Sequence, residues 1–174
     1  LTERLLLEEG AEIRLLVSDA KTVQDLAGPR VAVFDGDLLD RRILGRALRE
    51  IDVAYYPIRF FAADTWSREL HAAFAARFRD ACVDAGVKRV IYLGGFEFRG
   101  ESEGGLLGTD KGSEILSAGS PEFELVWLET GLIVGSGSLL FEALRSLVRN
   151  LPVLVLPRWA DERLDSVAVR DLLE

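Results

Sequence analysis

Short apolar runs alternate along this chain with segments of helical periodicity, and that alternation restricts its fold more than any other feature. Glu12–Val17 (EIRLLV), Arg30–Phe34 (RVAVF), Asp52–Ile58 (DVAYYPI) and Lys88–Leu93 (KRVIYL) are rich in β-branched, aliphatic or aromatic residues. Strands covered on both faces of a parallel sheet read as nearly continuous apolar runs, whereas half-exposed antiparallel strands alternate apolar with polar residues. The pattern predicts an α/β domain built on a doubly wound parallel sheet with crossover helices. In such a sheet ligands bind beyond the carboxyl ends of the strands, so the turns there are the places to look for a site.

The segments between the runs supply the helices and turns. Leu1–Glu9 reads as an amphipathic helix ending at Gly10, and Ser18-Asp19 leads from the first strand into a short helical piece, Ala20–Leu26. The polar turn Asp35–Asp40 precedes a helix expected to bury Leu39, Ile43, Ala47 and Leu48. Trp66, Leu70, Phe74, Phe78 and Cys82 step by four along the longest helical segment, which Gly86 terminates; His71 is read onto its polar side. Phe96–Thr109 is irregular, and a short helix is expected near Asp110–Ala118. Phe123–Leu128 predicts a further strand, followed by turns at Thr130-Gly131 and Gly135–Ser138 and a helix carrying Leu140, Leu144, Leu147 and Val148. Val153–Leu156 is read as a short strand and Ser166–Glu174 as the start of a final helix. Neither a linker nor a repeat interrupts this order, so residues 1–174 are expected to form a single domain.

Composition narrows the function. A net charge of -8 opposes non-specific binding to nucleic acid and attraction to anionic membranes, because both need surplus Lys and Arg. No apolar run approaches the roughly 20 residues of a membrane span. Cys82 is the only cysteine, so no intrachain disulfide forms, and a cytoplasmic protein is the default expectation. With one histidine and one cysteine a zinc site has no ligand set.

Several stretches together resemble the NmrA-like branch of the atypical short-chain dehydrogenases, which are NAD(P)-binding proteins of the Rossmann fold. They are Val33–Leu38 (VFDGDL), Asp52–Tyr56 (DVAYY), Ala85–Gly95 (AGVKRVIYLGG), Glu114–Leu116, Thr130–Ser138 (TGLIVGSGS) and Pro152–Leu173. The resemblance implies a chain truncated at both ends, without the first strand and its Gly-rich turn G-x-x-G-x-x-G, and with Leu1–Glu9 as the remnant of the helix after that turn. Gly135–Ser138 does not replace the turn, since Leu140 stands where a third glycine belongs. Nor does Gly104–Ser113 fit a phosphate loop, because Asp110 precedes Lys111.

The same resemblance implies a cofactor site. Ser18 and Asp19 would meet the adenosine ribose, where an acidic side chain favours NAD and an arginine would favour the NADP phosphate; relatives often carry Arg at or beside Ser18. Asp37 and Leu38 would bracket the adenine. Tyr56 and Pro57, then Leu93 and Gly94, would line the cofactor from the next two strands, and Lys111 would contact the nicotinamide ribose or a substrate carbonyl. Each has a plainer alternative: Asp19 and Asp37 cap the helices that follow them, Tyr56 is a core aromatic, and Lys111 is a solvated charge.

For chemistry the resemblance implies hydride transfer between NAD or NADP, with NAD favoured, and a small carbonyl, quinone or alcohol. The Tyr-x-x-x-Lys pair of classical relatives is absent, since no tyrosine follows Tyr92 and Lys111 has Leu107 four residues before it. Catalytic residues are therefore not assigned. Glu129 departs from the Arg common in relatives at that strand end. A non-catalytic dinucleotide sensor with a protein partner, or a structural subunit, is the alternative function.

Overall fold

In the computed structural model, which describes residues 1–57, 65–94, 115–117, 122–130, 132–135, 138–151, 153 and 166–174, parallel strands alternate with helices as expected. The order is α1 (Thr2–Leu5), β1 (Ile13–Val17), a 3₁₀ segment (Ala20–Leu26), β2 (Val31–Asp35), α2 (Arg41–Leu48), β3 (Val53–Tyr56), α3 (Thr65–Ala85) and β4 (Arg89–Gly94). It continues through β5 (Glu124–Glu129), β6 (Leu132–Val134), α4 (Leu139–Asn150), β7 (Ser166–Ala168) and α5 (Val169–Leu172). Every ladder among the described residues is parallel: β1 with β2, β3 with β4 and β5, and β6 with β7. No ladder among these residues joins β1 to β3, yet the two strands share a core.

That core explains why the apolar runs are long. Leu44 and Leu48 of α2, Ala54 of β3, Ala81 and Cys82 of α3, Val87, Val90 of β4 and Phe123 form one buried cluster, against which Leu16 of β1 packs. Tyr56, Ala75, Tyr92 and Leu116 form a second, and Phe78 and Leu125 touch both. Arg14 ties β1 to α2 by donating to the carbonyl oxygens of Arg46, Ala47 and Arg49 at the helix's carboxyl end, where the last turn leaves acceptors unpaired and the dipole favours a cation.

Four local expectations are corrected. Only Thr2–Leu5 of Leu1–Glu9 is α-helical; Leu7 and Glu8 then donate to Arg4 and Leu5, the tighter three-residue pattern of a fraying end. Ser166–Ala168 is a strand, paired with Leu132–Val134, which the sequence did not mark as one. Leu44 is buried in α2 while Leu39 and Ile43 are half-buried. His71 lies half-buried on the inward face of α3, its ring stacked 6.1 Å from that of Tyr56. The expected strand at Val153–Leu156 falls mostly outside the described residues, as does the helix near Asp110–Ala118 apart from 115–117.

Cys82 is fully buried, and loss of solvent pushes its thiol up to about 12. Because the native chain holds this proton more tightly than the unfolded one, Cys82's contribution to stability is present below pH 9 and is lost as pH rises towards 12. At pH 8 a thiol reagent such as dithionitrobenzoate is expected to leave the native protein unmodified and to titrate Cys82 fully after denaturation. Rapid labelling of the native form would contradict this burial.

Candidate functional site

The carboxyl ends of β1 and β2 are held side by side. Val17 pairs with Asp35 in register, and the backbone N–H of Gly36 donates to the carbonyl of Val17 at 3.0 Å. Gly36 has φ +154°, and a Cβ there would sit 2.1 Å from Cδ1 of Ile43. The positive φ is what requires glycine, since the Ile43 methyl ends a flexible side chain that can turn aside.

Beyond these strand ends lie two carboxylates that the sequence singled out. Asp19 follows the exposed Ser18, and its Oδ1 accepts from the Lys21 N–H at 2.9 Å, capping the Ala20–Leu26 segment. Oδ1 of Asp37 accepts from the Leu39 N–H at 2.8 Å, while Asp40 caps α2 itself through the Arg42 N–H. Asp37 thus closes a turn and is not the helix cap expected of it; both side chains are exposed, and each uses one oxygen in its local bond, leaving the other on the surface of the turn. Leu38, next to Asp37, is half-buried. Asp35, read from the sequence as the start of the polar turn and not assigned to the site, is the last residue of β2 and adds an exposed carboxylate there.

Tyr56 ends β3 and is 2% exposed, with ring centroids 4.8 Å from Phe78 and 5.6 Å from Tyr92. Its side chain is thus a core group beneath the strand end, and the exposed Pro57 follows it. Leu93 and Gly94 close β4, in register with Leu128 and Glu129 of β5. Lys111 lies outside the described residues, as does the side chain of Glu129. The structure therefore brings Ser18, Asp19, Asp37 and Leu38 to one pair of adjoining strand ends and Tyr56, Pro57, Leu93 and Gly94 to another.

Two features at the end of β5 were not anticipated. The Trp127 side chain is 49% exposed although its register partner Tyr92 is buried. Thr130, just past the strand, is buried, and its Oγ1 has no hydrogen-bond partner among the described residues. An unsatisfied buried hydroxyl costs about 1–3 kcal/mol. Thr130→Val, of nearly the same shape, is expected to raise the unfolding free energy by about 1 kcal/mol, measured by urea denaturation; a loss of that size would show that the hydroxyl is satisfied in solution.

The groove lined by Arg41, Gly45, Arg49, Glu50, Ala81, Asp84 and Ala85 lies between α2 and α3, away from these strand ends. Its Arg41–Asp84 pair, 3.3 Å apart, is exposed on both sides and contributes little. Among the described residues no group of three or more His, Cys, Asp or Glu is placed to hold a metal, and no helix is long and apolar enough to cross a membrane.

Comparison with known proteins adds to this geometry. Residues 1–116 match a family model described as NAD(P)H-binding. No curated protein gives a significant sequence match. Among solved structures, a dTDP-glucose 4,6-dehydratase from Streptomyces venezuelae with NAD bound is similar at TM-score 0.73 and 18% identity, over 99% of this chain and 65% of the dehydratase. An NADPH-dependent quinone oxidoreductase from Escherichia coli is similar at TM-score 0.60 and 23% identity, over 84% of this chain and 49% of its own. A triphenylmethane reductase from Citrobacter sp. is similar at TM-score 0.57 and 24% identity, over 76% and 45%. The chain thus spans about half to two thirds of the length of these proteins, and at such identities the likeness establishes the Rossmann-like fold alone.

Proposed function

Because the chain belongs to the NAD(P)H-binding family, we propose that it is part of an NAD(P)-dependent oxidoreductase of the NmrA-like type, with the dinucleotide lying across the carboxyl ends of β1 to β4. The observation that supports this reading is that Ser18-Asp19 and Gly36-Asp37-Leu38 stand at the carboxyl ends of the β1–β2 pair, and Tyr56-Pro57 and Leu93-Gly94 at those of the β3–β4 pair, the ends at which ligands of parallel sheets bind. Residues 1–174 are taken as one dinucleotide-binding domain.

The donor set fits that group. Asp19 and Asp37 each have a carboxylate oxygen to spare beyond their local backbone bond, suited to accept from ribose hydroxyls and from the adenine amino group. Leu38 offers an apolar side to the base. Carboxylates at Asp19, Asp35 and Asp37 would repel a 2′-phosphate, so NAD is preferred over NADP. When bound, the nicotinamide ring supplies or accepts a hydride, the acceptor being a small carbonyl or quinone whose oxygen takes its proton from water. The protein's share is to bind, orient and exclude solvent. Without a Tyr-x-x-x-Lys pair, the proton is not routed through the tyrosine of classical relatives.

That missing pair also favours a second reading, a cofactor-binding regulator without turnover. The two separate on incubation with NADH deuterated at C4 and 1,4-naphthoquinone. An oxidoreductase yields NAD and reduced quinone in equal amounts, with a primary isotope effect on the rate. Tight NADH binding with no oxidation above the protein-free rate would leave the regulator.

A further inference from the structure

We infer that Trp127 is a stacking platform for a planar, conjugated substrate, and so a specificity-determining residue of the proposed oxidoreductase; the assignment rests on that reading for its role, though not for its geometry. Tyr56, Tyr92 and Trp127 stand in register across β3, β4 and β5, forming one aromatic rung two residues short of the end of β4. Tyr56 and Tyr92 are 2% and 1% exposed and belong to the core, whereas Trp127 is 49% exposed. The rung thus begins inside the protein and ends at its surface.

The direction in which Trp127 leans gives the exposed ring a purpose. A Cβ on Gly94 would lie 2.2 Å from Nε1 of Trp127 and 3.1 Å from its Cδ1. The indole therefore reaches from its own register level towards the carboxyl end of β4, over the backbone of Gly94, and it does so only because that residue has no side chain. Ligands of parallel sheets collect at this end. The exposed part of the ring offers an aromatic face at the end of β5, while the side chain of the adjoining Leu128 alternates to the other face of the sheet and takes no part. An exposed tryptophan is a large apolar surface that gains most by offset stacking on a flat ring. The chemistry that fits is a planar conjugated acceptor, whose flat ring covers the indole more fully than a small aliphatic aldehyde.

The test is equilibrium dialysis of the whole protein against 1,4-naphthoquinone, with cyclohexanone as a non-planar control, alongside NADH titration by nicotinamide fluorescence. Trp127→Leu is expected to weaken naphthoquinone binding roughly tenfold and Trp127→Phe by no more than about threefold, as loss and retention of a stacked ring imply. Gly94→Ala should weaken it as well, by displacing the indole. Cyclohexanone and NADH should bind the wild type and both Trp127 variants alike. Equal naphthoquinone affinity in wild type and Trp127→Leu, or none in the wild type, would overturn the assignment. If NADH binds none of the proteins while the naphthoquinone series holds, the platform stands and the cofactor reading falls.

Discussion

Asp19→Arg is expected to reverse the preference between NADH and NADPH, improving the NADPH-to-NADH affinity ratio by at least about tenfold, or 1.4 kcal/mol. The carboxylate stands exposed just beyond β1, where it would accept from the ribose and repel a 2′-phosphate. A guanidinium there replaces that repulsion with a forked donor suited to phosphate. The substitution also removes a cap, since Oδ1 holds the Lys21 N–H, and a lost cap costs about 1 kcal/mol of stability. Asp19→Asn keeps a capping oxygen and discards the charge, so it should leave thermal stability nearly unchanged while lessening discrimination against NADPH. An affinity ratio unmoved in both variants would leave Asp19 as a cap and nothing more.

Tyr56→Ala is expected to lower the unfolding free energy by about 3–5 kcal/mol, the usual range for deleting a fully buried aromatic ring. Tyr56 holds the second cluster together: its ring touches those of Phe78 and Tyr92, one from α3 and one from β4. Tyr56→Phe preserves those ring contacts and should retain most of the stability. The pair of variants therefore separates a core role from a ligand-facing one. If Tyr56→Ala folds with unchanged stability yet loses NADH affinity, the ring is at the site and the packing account is wrong.

The strands were legible because two-sided burial writes itself directly into sequence: Val90 and Tyr92 are buried while Ile91 and Leu93, on the opposite face, are half-buried, all within one apolar run. The strand β7 was not. Ser166–Ala168 is three residues long and takes its identity from a partner, Leu132–Val134, more than thirty positions away. His71 was misread for a geometrical reason. A strict step of four drifts roughly 40° around a helix each time, so the stripe Leu70, Phe74, Phe78 and Cys82 slides off the buried face. The spacing His71, Ala75, Phe78 and Cys82 holds to that face, and Ala75 and Cys82 are fully buried.

For the site, Asp19 and Asp37 were recognisable because a carboxylate after a strand and before a helix has two uses; Asp19 has the capping one, whereas Asp37 only closes a turn on the Leu39 N–H and the cap of α2 expected of it belongs to Asp40. Trp127 escaped notice because its meaning depends on Gly94 of the neighbouring strand, a relation set by register and not by spacing along the chain.

The account rests most heavily on dinucleotide binding, and the direct measurement is titration of NADH and NADPH into the protein, followed by enhancement of nicotinamide fluorescence. Saturable binding of both, with NADH the tighter and its advantage lost in Asp19→Arg, is the expected result. No saturable binding of either dinucleotide to the folded protein would contradict the account at its centre.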